Sequence, residues 1–331
     1  NNQNIIQEIK KIKILDPACG SGAFPMGTLQ KIVNLIQKCD EKVYSQKDLY
    51  ELKLELIEKC LYGIDIQPIA VQICKLRFFI SLICEQNKTD KLEDNYGFNP
   101  LPNLETKFVA ANSLIGLKEK NKDLAGELFR NPDIDITKND LQILRHNHFN
   151  ASTAVEKALC RKEDAKLRKK LIELLKSDNM YDNEEAKQLS EWNPYDQNAV
   201  SSFFDSDWMF NIKDGFDIVI GNPPYIQLQK DGGKLANLYE NHNFKTFSKM
   251  GDIYCLFYEK GFDLLKSNGH LCFITSNKWM RAGYGEKLRD FLASNTNPKL
   301  LIDFAGVKVF ESATVDTNIL LFSNSKNEQK T

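Results

Sequence analysis

No apolar run in these 331 residues approaches the roughly 18 residues that a membrane-spanning helix needs, and the amino end lacks a signal-peptide pattern. The eight cysteines form no C-x-x-C pair and only four histidines occur, so a zinc site is not expected. A basic surplus is missing too: 44 Lys and Arg against 45 Asp and Glu leave a net charge of −1. Chains that grip DNA unaided draw much of their affinity from neutralised phosphates. Any sequence-reading surface is therefore expected outside this chain. Cys60, Cys74, Cys84, Cys255 and Cys272 sit within apolar helix or strand patterns, as buried free thiols do. That usage fits a reducing cytoplasm. No internal repeat is visible. The length suits one large α/β domain plus an insertion, and 42% hydrophobic with 27% charged residues is ordinary for a globular protein.

Two short motifs stand out against this background. Asp217-Ile218-Val219-Ile220-Gly221 reads as a buried strand and runs into Asn222-Pro223-Pro224-Tyr225. Neither proline has an N–H to continue a ladder, so the backbone is stiff there and its carbonyls are free. One amide and one phenol are presented at a strand's carboxyl edge, where open parallel sheets bind ligands. The chemistry suggested is capture of an amino group on a flat ring: Asn222 Oδ1 and the Pro223 carbonyl accept its hydrogens, and Tyr225 offers a stacking face. The same run also fits a Pro-Pro loop with a capping Asn.

The second motif follows the strand Ile12-Lys13-Ile14-Leu15: Asp16-Pro17-Ala18-Cys19-Gly20-Ser21-Gly22-Ala23-Phe24, then a helical apolar pattern from Met26 to Ile36. Gly20 and Gly22 permit backbone angles and close approaches that a Cβ would forbid. A helix N-terminus leaves N–H groups unsatisfied and often faces an anion. Asp16 argues instead for a ligand of cationic character, such as the amino group of a methionine moiety. A tight structural turn explains a glycine pair equally well.

Together the motifs resemble the S-adenosylmethionine-dependent DNA amino-methyltransferases, in particular the adenine-N6 class with the cofactor motif first. The resemblance covers residues 12–116 and 216–323. It implies the methylase region of a large single-chain restriction–modification enzyme of the type IIG kind, or a related phage-defence methylase. The implied fold is class I, Rossmann-like α/β: a mostly parallel seven-stranded sheet with helices on both faces and a helical insertion. Residues 1–116 would form the cofactor-binding half, 117–215 the insertion, and 216–331 the target-base half. S-adenosyl-L-methionine is the implied cofactor, held by Asp16, Pro17, Ala18, Cys19, Gly20 and Gly22. Cys19 is expected to contribute backbone, not a reactive sulfur.

Further along, Asp65 at the end of a second strand would accept the ribose hydroxyls, or N-cap the helix starting at Pro68. Ile66 would pack on the cofactor's adenine. Asn112 and Ser113 follow the third strand; the family commonly has Asp at the Asn112 position, and an amide oxygen can accept the same adenine N6 hydrogen without the charge. Asn222, Pro223, Pro224 and Tyr225 form the catalytic set. Phe310 would stack on the far face of the target base. No metal is required. Tyr254, Phe257 and Tyr258 fall at helical spacing as core residues, with Tyr254 nearest the target pocket. That helix is expected to run to about Ser267, with a strand at 270–275 and a last strand at 314–322.

The resemblance implies that the target adenine leaves the duplex before N6 is methylated. Double-stranded DNA would be held through a target-recognition domain not in this chain, with a nuclease possible in the full-length protein. The chain opens with Asn and has only about fifteen residues before the cofactor motif, so an excised region with little activity of its own is expected. The stretch 154–175 reads as an amphipathic helix whose basic residues, Arg161-Lys162 and Arg168-Lys169-Lys170, form a solvated face or touch DNA. Trp192, Phe203, Phe204 and Trp208 should dock the insertion on the core. Rival readings are a protein-glutamine or RNA amino-methyltransferase, since those substrates also present a planar NH2, and a non-catalytic cofactor-binding module.

Overall fold

A computed structural model describes residues 2–40, 42–90, 92–117, 131–307, 309 and 316–328. Seven strands form one sheet in the order β3-β2-β1-β4-β5-β7-β6. They are β1 (Ile14–Asp16), β2 (Leu61–Asp65), β3 (Phe108–Ala110), β4 (Phe216–Gly221), β5 (Leu265–Ser276), β6 (Asn297–Asp303) and β7 (Thr317–Ser323). β1 to β5 pair in parallel, while β7 runs antiparallel to both β5 and β6. The mostly parallel α/β sheet is the one expected from the sequence.

Strand alternation divides the core between the two faces. Ile14, Leu61 and Phe108 point to one side, with α1 (Asn2–Ile9), α2 (Ala23–Cys39), α3 (Gln46–Lys59) and α4 (Pro68–Ile83). Leu15, Tyr62 and Val109 point to the other. There α5 (Pro132–Asn150), α6 (Ala154–Ser177), α7 (Asn183–Glu191) and α8 (Ser206–Phe210) cover β1 to β3. Trp192, Phe203, Phe204 and Trp208 are all buried in that second core, so these helices supply a wall of the fold. Ser201 even pairs beside β3, donating to the Ala110 carbonyl and accepting from Asn112 N. The second half adds α9 (Lys230–Tyr239), α10 (Tyr254–Asp263) and α11 (Glu286–Asn295).

Three local readings are corrected. α6 starts at a Thr153/Glu156 capping box, but its basic run is not uniformly solvated. Arg168 is buried, bonds Asp164 one turn earlier at 2.6 Å and the Trp192 carbonyl, and lies over the Trp192 ring. Arg161 reaches Glu105 and the Tyr195 ring. Lys162, Lys169 and Lys170 remain exposed. α10 ends at Asp263, because β5 begins at Leu265 to pair with Phe216; Asn268 makes its turn inside that strand with φ +63°. Gln67, not Asp65, stands at the N-cap of α4, with Pro68 in the first turn. Among the described residues no helix is long and apolar enough to cross a membrane, and no cluster of three or more His, Cys, Asp or Glu has the arrangement of a metal site.

Candidate active site

Strand order reverses between β1 and β4, and both motifs sit at the carboxyl ends of that pair. Leu15 pairs with Val219, so the chains leaving Asp16 and Gly221 emerge side by side. In open α/β sheets such a switch point opens a crevice for ligands. The close approach is specific: a Cβ on Gly221 would lie 2.6 Å from Asp16 Oδ1. Only glycine lets the second motif come down onto the carboxylate of the first.

The loop after β1 is pinned by its own backbone. Ala18 N donates to Asp16 Oδ1 at 3.0 Å, and Cys19 N donates to the Ile64 carbonyl at 2.8 Å. Gly20 N donates to Asp65 Oδ2 at 2.9 Å, which ties this loop to the end of β2. Gly22 opens α2 with φ +87°, and a Cβ there would meet Cys74 Sγ at 2.5 Å. Asp16 is buried, and burial pushes its pKa up to about 8, with the Asp65 charge adding to the rise and the Ala18 bond opposing it. A buried carboxylate so poor in positive charge suits a cationic ligand. Pro17 is buried and Ala18 half-buried beside it. A bond to Cys74 and burial hold the Cys19 thiol far above its ordinary range, so its sulfur is inert there.

Asp65 uses one carboxylate oxygen for Gly20 N and the other for Gln67 N, at 2.9 and 2.8 Å. Each oxygen retains a lone pair for a ligand hydroxyl. Ile66 is 55% exposed beside it, an apolar surface without a partner in the core. Asn112 and Ser113 are buried at the end of β3. Asn112 Oδ1 accepts from Leu114 N at 3.2 Å and from Tyr239 OH at 3.3 Å, so α9 reaches over this loop. The tyrosine was not legible as a site residue, since nothing in its helical pattern marks it.

At the second motif Tyr225 OH donates to Asn222 Oδ1 at 2.7 Å, with a longer approach to the Ile274 carbonyl at 3.3 Å. This bond fixes the orientation of the amide and leaves the oxygen one lone pair. Pro223 is buried; Asn222, Pro224 and Tyr225 are half-buried at the sheet edge. Burial pushes the Tyr225 phenol up to about 12. Its ring meets Tyr254 edge-on at 5.9 Å. Tyr254 is fully buried and hydrogen-bonds Tyr284 OH at 2.8 Å, and Tyr284 donates to Asp252 at 3.0 Å. Gln227 pairs with Asp252, which closes the loop. Tyr258 is likewise core, bonded to Thr275. A cavity of about 310 Å³ lies against Tyr225, lined also by Gln227, Lys230, Asp252, Ser276 and Lys278. Phe310 lies outside the described residues.

The chain matches a family model described as Eco57I restriction-modification methylase over residues 59–310, more than half its length. A second model, MmeI DNA-methyltransferase domain, matches residues 1–116. Type II restriction enzyme and methyltransferase RM.Eco57I of Escherichia coli is 26% identical over 335 residues, covering 97% of this chain and 25% of that protein. A Methanocaldococcus jannaschii chain named as a type II restriction enzyme and methyltransferase is 28% identical over 366 residues, covering 96% and 30%. The chain thus spans less than a third of either relative. A chain described as adenine-specific methyltransferase BrxX, from Escherichia coli, is 25% identical over 304 residues, covering 87% of this chain and 23% of its own length.

Proposed function

The chain belongs to the Eco57I restriction-modification methylase family, and from that membership we propose that it moves a methyl group from S-adenosyl-L-methionine to N6 of an adenine extruded from DNA, as the methylase region of a larger enzyme. The observation that supports this reading is the contact of Asp16 with Gly221, the residue just before Asn222, which brings the two motifs together at one crevice.

The residues present fit the cofactor. S-adenosyl-L-methionine, when bound, supplies the sulfonium methyl that is transferred. Asp16 would hold its positive end, Asp65 its ribose hydroxyls, and the exposed Ile66 face its adenine. Asn112 and Ser113 would close the far wall. The Asn112 oxygen is already engaged by Tyr239 and Leu114, so it would exchange Tyr239 for the adenine N6 or act through shape alone.

At the target, Asn222 Oδ1 and the Pro223 carbonyl would accept the two N6 hydrogens. That pulls on a lone pair delocalised into the ring and turns it toward the methyl. These bonds strengthen as the new bond forms, which is where binding lowers a barrier. Tyr225 stacks on the base, and such contacts are worth about 1–3 kcal/mol each, a return of the same order as the few kcal/mol that extrusion costs. Phe310 is the proposed second stacking face. The cavity beside Tyr225 has room for a base, and Lys230 and Lys278 on its rim suit flanking phosphates.

With a net charge of −1, sequence reading and most phosphate contacts belong to other parts of the complete protein, which would work in the cytoplasm. The test is methylation of plasmid DNA by the protein that carries this chain, followed by modified-base sequencing. N6-methyladenine at a defined site is expected. Unmodified DNA beside a labelled protein or RNA would replace the reading with the glutamine or RNA alternative.

A further inference from the structure

The opposite end of the sheet holds a second cavity that methyl transfer does not use. Its volume is about 520 Å³, and it lies where the amino ends of β1 to β3 meet the end of α3, one face of α5 and the residues after α8. Lys13, Lys59, Lys107 and Arg145 line it, and Glu58 is the only carboxylate among the described lining residues, bonded to His146. Thr106, Asn139 and Gln142 add polar groups, while Tyr62, Ile143 and Phe210 give it apolar walls.

Of these cations Lys107 and Lys13 are the poorly satisfied ones among the described residues, while Arg145 is bonded inward and Lys59 pairs with Glu55. Arg145 is buried; its Nη1 donates to the Trp208 and Met209 carbonyls at 3.0 and 3.2 Å, and its Nε faces Asp164. Its Nη2 is buried with no hydrogen-bond partner among the described residues. Among the described residues Lys107 Nζ meets the Tyr62 hydroxyl at 3.4 Å and lies 4.5 Å over the Tyr62 ring. Burial first, then the charge of Lys13, pushes its amine down to about 7. Burial also lowers the Lys13 amine, which donates to the Lys59 carbonyl.

We propose that this cavity is a binding site for a small phosphate-bearing anion, held by Lys107 and Lys13, with the Arg145 charge behind them in the wall. Two ammonium groups beside a fixed guanidinium charge are cations that phosphate oxygens recognise, and the volume is that of a small-molecule site. The anion would return Lys107 to its charged form. The site stands at the sheet edge opposite the Asp16 crevice, so its occupancy is independent of the methyl-transfer reading.

The probes are inorganic phosphate and pyrophosphate, titrated against this chain by calorimetry and thermal unfolding, with sodium chloride at matched ionic strength and a short DNA duplex as separate arms. A saturable rise in the unfolding midpoint with phosphate, absent with chloride, is expected. Lys107→Met should weaken phosphate binding about tenfold or more, as removing a charge-assisted bond does, while leaving the anion-free protein at least as stable. Glu58→Gln, which removes the opposing carboxylate, should tighten it severalfold. No saturable shift, or equal shifts in wild type and Lys107→Met, overturns the proposal. A Lys107-dependent shift with duplex DNA and none with the free anions overturns it as well, because the ligand would then be a nucleic-acid backbone.

Discussion

Asp16 Oδ1 lies against the Cα of Gly221, so close that a Cβ there would stand 2.6 Å away. The same oxygen accepts the Ala18 N–H and cannot swing aside without releasing the loop after β1. Two motifs far apart in the sequence are thus joined by one contact, made possible by adjacent parallel strands.

Gly221→Ala should therefore damage both motifs at once. Overpacking of this kind destabilises by about 1–3 kcal/mol, and the displaced carboxylate should weaken cofactor binding in the protein that still folds. Urea unfolding and calorimetric titration with S-adenosylmethionine measure the two effects. Native stability with native affinity would show that the contact is slack.

Asp16 also sets a pH dependence. In the folded chain it keeps its proton up to about 8, far above the ordinary carboxylate value of 3.8. Between those values the folded state binds more protons than the unfolded one. Its contribution to stability is present at low pH and is lost as pH rises toward 8. A cationic ligand needs the ionised form, so cofactor affinity should rise from pH 6 to pH 8.5, with up to one proton released per binding event near pH 7. Calorimetry in buffers of different ionisation enthalpy counts that proton. Asp16→Asn should bind weakly and show neither effect; a wild-type affinity flat across the range would remove the carboxylate from the cofactor site.

What could be read from the sequence was what special backbone chemistry announces. Glycines at Gly20 and Gly22 and the prolines at Pro223 and Pro224 restrict the backbone locally, so the residues themselves marked the two loops. Strand and helix alternation marked most elements of the sheet. The partners of the site residues were not legible, because they come from packing of distant segments: Tyr239 on Asn112, Tyr284 and Asp252 behind Tyr254, Gly20 on Asp65. The charge run of α6 misled for the same reason. Nothing in Arg168-Lys169-Lys170 shows that the first of the three turns inward to Asp164 and Trp192.

The bond from Tyr225 to Asn222 separates the roles of the two side chains. Asn222→Ala removes the acceptor and should abolish methyl transfer while cofactor affinity stays within about twofold, since uniform binding is untouched. Tyr225→Phe keeps the ring but frees the amide to rotate, and losing one orienting hydrogen bond of about 1 kcal/mol should lower kcat several-fold. Tyr225→Ala loses the stacking face as well and should fall further. Tritiated-methyl transfer by the complete enzyme orders the three. Turnover retained by Asn222→Ala would reject the assignment of the amide.

Asp164 offers a test of the α5–α8 wall apart from the chemistry. Its carboxylate is fully buried between Arg145 and Arg168, bonded to the second at 2.6 Å and to the first at 3.4 Å, and both guanidiniums lie over the Trp192 ring at 5.6 and 5.7 Å. Removing one partner from such a cluster leaves buried charge without compensation, which typically costs about 3–5 kcal/mol. Asp164→Ala should lower the urea midpoint accordingly. Replacing Asp164, Arg145 and Arg168 together by apolar residues of similar volume should recover much of the loss, because the desolvation of all three charges is then avoided. Cofactor affinity per folded molecule should be unchanged in Asp164→Ala, since the cluster joins α5, α6 and Trp192 to one another and not to the loop after β1. A stability loss too small to measure would mean that water reaches the two arginines and that the wall is looser than its buried tryptophans indicate.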